Sequence, residues 1–396
     1  MKTSICSTVA LLLFYNFGYC QSYKTAKIIV DKNSKRPLEA VNVHNEFDNT
    51  ITNGEGKFVF FSMKDSINIS SVGYQKVVTT FEGITTRDTL FLEPSINELE
   101  EIVVVNTSSL LNDVYRSVAG NYPSQPFREK FFLRCVLKKN NQICRLQDIS
   151  AKIESNALFL NQTVTNKEFK LEVLNLRKAD IEVKKQIEYF EFLSTKTLFG
   201  WFASIFTVPT DYIFTKAKSS DPQYVKIEYS KSDANANILS RNGYYLINKE
   251  DKSIKEVGYK LQGDLSQIPY QSKLDVKWRT IEIELVVNYI KSAKNNKYYV
   301  SNANLRTVTE VINEKKGVND TYEYIYDLVT VDGFIEELVK PNFSVTKDLF
   351  KANFSYPEDF WKTQNQLPLT DELKLFLTRV NETKAVKSDF KIQSNF

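Results

Sequence analysis

The fold of this chain is decided by residues 26–74, which are AKIIVDKNSKRPLEAVNVHNEFDNTITNGEGKFVFFSMKDSINISSVGY. Short runs of alternating apolar and polar residues, such as Lys24–Asp31 and Lys57–Phe61, are separated by turn residues at intervals of about 8–12 positions. Gly54 and Gly56 would permit the positive φ angles of a tight hairpin. This spacing is typical of a small β-sandwich. Residues 21–95 are therefore predicted to form a seven-stranded β-sandwich.

The first 20 residues have the three parts of a secretory signal peptide. Lys2 gives a positive start, Val9–Tyr15 is apolar, and Gly18 and Cys20 are small residues two positions apart. The apolar run is shorter than the ~20 residues of a membrane-spanning helix. We expect cleavage after Cys20, with lipidation of Cys20 as the alternative that the bulky Tyr19 disfavours. The mature protein is expected in the periplasm or associated with the outer membrane, without a transmembrane helix.

Cys135 and Cys144 are the two cysteines outside the leader. Export makes them a candidate disulfide, because an oxidising compartment lets such a bridge persist. Cys135 and Cys144 flank a predicted β-hairpin. If residues 139–140 form the turn, the two cysteines face each other directly. If the turn is at residues 140–141, which suits a type I′ turn, the register moves and Cys135 faces Leu146. The sequence leaves both registers open.

Four motifs in the first 105 residues identify a resemblance to a known family. They are KRPLEAVNV (35–43), TNGEGKF (52–58), INISSVGY (67–74) and ELEEIVVV (98–105). In combination they resemble the carboxypeptidase-regulatory-like domain, a transthyretin-like β-sandwich at the start of many exported Bacteroidota proteins. Glu39 departs from the glycine that the family often has there. The resemblance implies a structural or docking unit without peptidase residues.

The remainder of the chain is predicted to be mainly β with few helices. Residues 96–126 are expected to form a linker strand and a helix, which has an apolar face of Leu110, Leu111, Val114, Tyr115 and Val118. Long consecutive strand patterns over residues 127–341 predict a larger antiparallel, half-barrel-like β domain. Residues 242–257 resemble a hairpin of exported half-barrel proteins. The tail, residues 342–396, is expected to carry a short helix capped by Thr370.

Residues 190–209 form the most apolar stretch of the larger domain. Its candidate lid residues are Phe199, Trp201, Phe202 and Phe206. They would either pack in the core or cover a pocket for lipid or another apolar ligand. Core packing is the favoured interpretation, because apolar runs usually close cores.

The sequence lacks the residue sets of common catalytic sites. His44 is the only histidine, which excludes a Ser/His/Asp or Cys/His site and a multi-histidine metal site within one chain. It is expected at an exposed or edge position, where Glu46 and Asp48 offer at most a weak metal site. We therefore predict no catalytic, cofactor-binding or metal-binding residues. Ser66 and Thr89 lie in short triplets that resemble an O-glycosylation motif of Bacteroidota.

Charge and composition restrict the kinds of partner. The chain has 52 basic and 48 acidic residues and a net charge of +4, a balance that gives no general attraction to nucleic acid. We expect an exported, non-enzymatic binding or assembly protein whose partner is an envelope protein or an apolar ligand, with peripheral outer-membrane association as a further option. A carrier of lipid or another apolar ligand in the half-barrel is the first alternative, and an uncharacterised hydrolase is the second.

Overall fold

A computed structural model describes residues 22–95, 107–159, 165–183, 191–203, 212–217, 219, 221–231, 240–262, 268–352, 354, 358–385 and 390–394. The protein is mainly β, which confirms the predicted fold class. Its strands form two small sheets near the N-terminus and one large antiparallel sheet. None of the described helices has both the length and the apolar character needed to cross a membrane.

The N-terminal strands form the predicted seven-stranded sandwich. Its elements are β1 (Tyr23–Asp31), β2 (Asn42–His44), β3 (Asn49–Ile51), β4 (Lys57–Ser62), β5 (Ser66–Ser70), β6 (Val77–Thr80), α1 (Phe81–Thr85) and β7 (Thr89–Leu92). One sheet has the order β4-β1-β7 and the other β3-β2-β5-β6. Alternate residues of these strands, such as Ile29, Val43, Phe58 and Phe60, fill the space between the sheets. The alternation seen in the sequence therefore separates an inward and an outward face.

The turn before β4 requires glycine at one position. Gly56 has a φ of 71°, and a Cβ atom there would lie 2.5 Å from the Ile29 carbonyl oxygen. A larger residue would therefore be both strained and in collision with β1. Gly54 has no positive φ, so the expected requirement for glycine holds only at Gly56.

The remaining strands form one open antiparallel sheet. They are β8 (Phe127–Lys139), β9 (Gln142–Ser155), β10 (Phe169–Val183), β11 (Tyr212–Ala217), β12 (Tyr224–Lys231), β13 (Ser240–Asn248), β14 (Ile254–Gln262), β15 (Gln271–Lys273), β16 (Val276–Lys291), β17 (Tyr298–Asn313), β18 (Val318–Gly333) and β19 (Phe390–Ser394). The order is β11-β12-β13-β14-β16-β17-β18-β8-β9-β10-β19, with β15 paired to β16. The sequence patterns did not identify strands β10 and β11.

Helical segments lie between and after these strands. They are α2 (Thr107–Asn121), α3 (Thr195–Phe202), the 3-10 turns η1 (Glu314–Lys316) and η2 (Leu349–Lys351), α4 (Glu358–Lys362) and α5 (Asp371–Ala385). The backbone N–H of Leu373 donates to Thr370 Oγ1 at 3.3 Å, which confirms the predicted cap of the tail helix.

The large sheet packs on both faces. We call the side of β8 that carries Phe131, Leu133 and Cys135 the inner face, because it packs against α3 and residues 343–352. The opposite, outer face packs against α5 at Val136 and against the sandwich at Phe132. Both sides of β8 are therefore buried, which explains why residues 131–137, FFLRCVL, are apolar at every position except Arg134.

Of the two hairpin registers left open by the sequence, the structure has the turn at residues 140–141, and the two cysteines do not face each other. The turn lies at Asn140 and Asn141, whose φ angles are 49° and 66°. A bulge after Leu137 then shifts the register, and Cys135 lies opposite Gln147 rather than Cys144 or Leu146. The Cys144 thiol instead lies 3.4 Å from the Leu137 carbonyl oxygen. The structure does not join the two cysteines in a disulfide.

Candidate binding site between the sandwich and the large sheet

The sandwich contacts the outer face of the large sheet through buried amide side chains. We call this contact the seam. Asn49 Nδ2 donates to the carbonyl oxygens of Ser301 at 3.2 Å and Thr330 at 3.0 Å. Asn302 Nδ2 donates to Asn42 Oδ1 at 2.9 Å. Because buried polar groups that lose their partners are costly, these bonds fix how the sandwich sits on the sheet.

A C-terminal segment closes one side of the seam. Asn365 Oδ1 accepts from the backbone N–H of Phe61 at 2.7 Å, and Asn365 Nδ2 donates to the Phe61 carbonyl at 2.9 Å. Phe61 lies in β4, the edge strand of its sheet. The Asn365 amide therefore takes the place of a neighbouring strand. Asn53 Nδ2 adds a bond of 3.2 Å to the Pro368 carbonyl.

The same C-terminal segment is held by a buried ion cluster on the outer face, which we call the Asp148 cluster. Asp148 is fully buried and accepts 2.8 Å bonds from Arg134 and a 2.6 Å bond from Arg177. Arg134 also donates to the Leu367 carbonyl at 2.9 Å, and Arg177 lies 4.5 Å from the Trp361 ring centre. Burial alone would raise the pKa of Asp148, but the two guanidinium groups hold it below its usual value.

The only histidine lies inside a sheet rather than at its edge. His44 is in β2, which lies between β3 and β5, and it is half-buried. Its neighbour Val43 points into the sandwich core, so His44 shares the opposite face with Asn42 at the seam. The expected exposed or edge position is therefore wrong. Burial, together with the smaller effects of the Lys255 and Lys76 charges, lowers the pKa of His44 to about 4.

The weak metal site considered for His44 does not form. Glu46 is exposed, whereas Asp48 accepts a 2.7 Å bond from Ser62 Oγ. Within the described ranges, no group of three or more histidine, cysteine or acidic side chains is arranged to hold a metal ion.

A β-bulge brings a lysine towards His44. Leu246 pairs with Glu256 and Ile247 pairs with Ile254, which leaves Lys255 as the extra residue of β14. A bulge of this kind re-aims the side chain of the extra residue. Lys255 Nζ donates to the Tyr289 carbonyl oxygen at 3.1 Å. Burial lowers the pKa of Lys255 to about 8, against the opposing charge of Glu256.

Two lysine charges therefore act on His44 at the seam. His44 comes from β2, Lys76 from the exposed chain just before β6, and Lys255 from the bulge of β14, and we call them the basic cluster. The charge of Lys76 acts on both other members. Within the part of the chain that the structure describes, no carboxylate forms an ion pair with any of the three. Glu256 and Asp221 act on Lys255 with the opposite sign, so the lysine charges are partly compensated by the fields of these acids.

Charges on the inner face hold the covering segments. Lys178 Nζ donates to the carbonyl oxygens of Phe350 at 2.6 Å and Ala352 at 2.9 Å. Arg145 contacts Asp180 at 3.2 Å, and its guanidinium carbon lies 4.4 Å from the centre of the Phe350 ring. These contacts tie residues 349–352 to β9 and β10.

The candidate lid residues lie in and beside this covered core. Phe199 and Phe202 are buried in the inner-face core, and the Phe199 ring centre lies 5.1 Å from that of Phe131. Trp201 is half-buried, 6.0 Å from the Tyr259 ring. Phe206 lies outside the described residues.

One buried acid on the inner face has no hydrogen-bond partner for a side-chain oxygen. Glu129 is 4% exposed, and its Oε1 has no hydrogen-bond partner among the described residues. Burial raises the pKa of Glu129 to about 8, against the opposing charge of Lys167. Burial also lowers the pKa of Lys167 to about 7.

Nothing in the sequence pointed to the basic cluster except that His44 is the only histidine. Lys76 and Lys255 lie far from it along the chain, and the bulge that presents Lys255 has no glycine or proline to mark it. The candidate O-glycosylation sites are not members of the basic cluster. Ser66 is exposed at the start of β5, and Thr89 is half-buried at the start of β7. No protein-family model and no curated protein matches the chain, so the chemistry of the seam itself carries the functional argument.

Proposed function

We propose that this is an exported, non-enzymatic binding or assembly protein of the periplasm or the outer membrane. The observation that carries the proposal is the seam, where buried amide side chains hold the sandwich on the outer face of the large sheet and the charges of Lys255 and Lys76 act on His44. The hydrogen bonds of the asparagine side chains hold the sandwich and the large sheet in one arrangement. A prearranged site loses less conformational freedom when it binds.

Export is proposed from the leader pattern of residues 1–20, which lie outside the described residues. The sandwich is proposed to act as a docking unit of the carboxypeptidase-regulatory-like kind. Support for this comes from its seven strands in two sheets and from the motifs that supply its turns, including the glycine at position 56.

A carrier of an apolar ligand is the second candidate function. Aromatic side chains continue from α3 along the inner-face core: half-buried Trp201 lies against Tyr259, and half-buried Tyr229 stacks 4.9 Å from the buried Tyr245. Phe199 and Phe202 already fill the adjoining core, which favours the binding or assembly function over the carrier.

Crosslinking in the native envelope tests the proposal. We expect a reproducible envelope protein that crosslinks to this chain, is not enriched by an unrelated exported protein, and binds the purified chain. Mass spectrometry of the protein purified without detergent supplies the second measurement. A bound lipid at one molecule per chain, without an envelope partner, would replace the proposal with the carrier function.

A further inference from the structure

We propose that one end of the large sheet docks on a lipid surface that carries anionic headgroups. The proposal rests on the proposed location at the cell envelope and names the surface that the chain contacts there. The docking end consists of residues 273–277, around the turn between β15 and β16, and residues 314–317, around the turn between β17 and β18. We call these two turns the tip.

The tip carries the most exposed large apolar side chain of the described ranges. Leu274 is 81% exposed, and no other large apolar side chain there exceeds 71%. Lys273 pairs with Val276, so Leu274 is the first residue of a two-residue hairpin turn. Such turns are ordinarily made by glycine, asparagine or aspartate, so the turn itself does not require an apolar side chain.

The backbone at Leu274 is also unfavourable for leucine. Its φ is 56°, in the left-handed region that glycine and asparagine adopt far more readily than a bulky residue. Phe334 has a similar φ of 60°, but its ring packs 5.8 Å from the rings of Phe127 and Tyr299. Leu274 belongs to none of the core clusters among the described residues. Backbone strain that packing does not offset points to a role outside the fold.

Two ion pairs join the two turns of the tip. Lys315 Nζ lies 2.7 Å from Asp275 Oδ1, and Lys277 Nζ lies 2.9 Å from Glu314 Oε1. Leu274 is therefore held beside the turn between β17 and β18. Both acids of the tip are engaged by its lysines.

The charge of the tip is positive. Its four lysines, at positions 273, 277, 315 and 316, are exposed and outnumber its two acids, which gives a net charge of +2. An exposed apolar side chain among lysines matches the boundary of a bilayer. The apolar group reaches the acyl chains, and the ammonium groups reach the headgroup phosphates. Anionic headgroups complement the net charge of the tip, so an anionic lipid surface is the occupant that fits it.

Vesicle flotation tests the docking, with the exported chain purified without detergent. We expect binding to vesicles of phosphatidylcholine with phosphatidylglycerol. Binding to pure phosphatidylcholine is expected to be about thirtyfold weaker, because each of two net charges contributes about fivefold near an anionic surface. Raising NaCl from about 0.1 M to about 0.5 M is expected to weaken the binding by screening the lysines. Equal binding to the two kinds of vesicle, or binding to neither, would overturn the proposal.

Leu274→Asn tests the apolar contact, because asparagine tolerates a positive φ and removes the apolar side chain. We expect it to weaken binding to the mixed vesicles about tenfold. Leu338→Asn is the matched control, because Leu338 is 65% exposed and follows the opposite end of β18. Equal weakening in the two variants would overturn the proposal.

Leu274→Gly separates docking from folding. Glycine relieves the positive φ, so we expect thermal stability to be unchanged or higher while vesicle binding still falls about tenfold. A clear loss of stability would show that Leu274 packs against the protein, and it would overturn the proposal.

Lys316→Gln tests the charge of the tip. We expect it to weaken binding to the mixed vesicles about fivefold. Lys249→Gln is the matched control, because Lys249 is an exposed lysine in the turn between β13 and β14, at the opposite end of the sheet. An equal effect in the control would mean nonspecific attraction and would overturn the proposal.

The docking proposal and the proposed function fail in different ways. If an envelope protein crosslinks to the chain and no vesicle is bound, the docking proposal fails and the binding function stands. If vesicles bind through the tip and no envelope protein crosslinks, the docking stands and the binding or assembly function fails. If Leu274→Asn abolishes crosslinking to an envelope protein and vesicles do not bind, the tip contacts a protein, which overturns the lipid surface.

Discussion

The Asp148 cluster and the basic cluster differ in how their charges are balanced. In the Asp148 cluster, one buried carboxylate is shared by Arg134 and Arg177, and both arginines also hold the C-terminal segment. In the basic cluster, His44 and Lys255 have no acid within ion-pair distance among the described residues. The chain therefore neutralises one group of charges by direct ion pairs, and acids act on the other only through their fields.

This difference separates a structural role from a binding role. A buried ion pair that loses one member leaves a charge without compensation, so the Asp148 cluster is expected to matter for stability. Members of the basic cluster form no ion pair among the described residues, so removing one of them is expected to change stability less than removing Asp148.

The largest effect is expected at Asp148. Asp148→Asn removes the buried carboxylate that Arg134 and Arg177 share, and we expect the free energy of unfolding to fall by about 3–5 kcal/mol. Urea unfolding measures the change. Asp359→Asn is the control, because Asp359 has a side chain that is 91% exposed in its pair with Lys362. A similar loss in both variants would contradict the structural role of the cluster.

An intermediate, pH-dependent effect is expected at Glu129. Its folded pKa of about 8 lies above the ordinary value of 4.5, so the folded state keeps a proton that the unfolded state loses. This carboxyl therefore lowers the free energy of unfolding as the pH rises from 4.5 to 8. Glu129→Gln removes that pH dependence. In urea unfolding, we expect the free energy of unfolding of the variant to rise relative to that of the wild type between pH 5 and pH 7.5.

The exposed Glu336 supplies the control for this measurement, through Glu336→Gln. Lys167, with its pKa of about 7, titrates in the opposite sense, because its unfolded form holds more protons between pH 7 and 10.5. The comparison is therefore made at or below pH 7.5. A difference between Glu129→Gln and the wild type that does not vary with pH would show that the carboxyl is not held in its protonated form.

The smallest effect is expected at His44. Its folded pKa of about 4 lies below the ordinary 6.5, so its contribution is complete above pH 6.5 and is lost as the pH falls towards 4. His44→Gln is expected to reduce the acid sensitivity of unfolding in that window. Thermal unfolding at pH 4.5 and pH 7 measures it, and an unchanged difference between the two pH values would mean that His44 is not buried at the seam.

Local patterns in the sequence were sufficient for the strands and for one helix cap. Alternation and turn residues gave the seven strands of the sandwich, and Thr370 marked the start of α5 because a hydroxyl at that position satisfies a free N–H group. Long hairpin-ordered runs such as those of β17 and β18 also indicated an antiparallel sheet.

Features that depend on register or on distant contacts were not predictable. A single bulge after Leu137 moved Cys135 opposite Gln147, and no local residue type requires that bulge. The bulge at Lys255 is likewise not marked by any residue type in the sequence. The seam joins Asn49 to Thr330, which are far apart in the chain, so only the folded arrangement brings His44 to the lysines.

The Asn365 amide at the edge of the sandwich has a consequence for assembly. An open edge strand offers unpaired backbone groups to any other extended chain and promotes aggregation. By occupying both backbone groups of Phe61, one side chain from the far end of the protein makes β4 unattractive to a second molecule. The segment around Asn365 thus covers this edge of the sandwich, and during synthesis that cover arrives only 304 residues after Phe61 has been made.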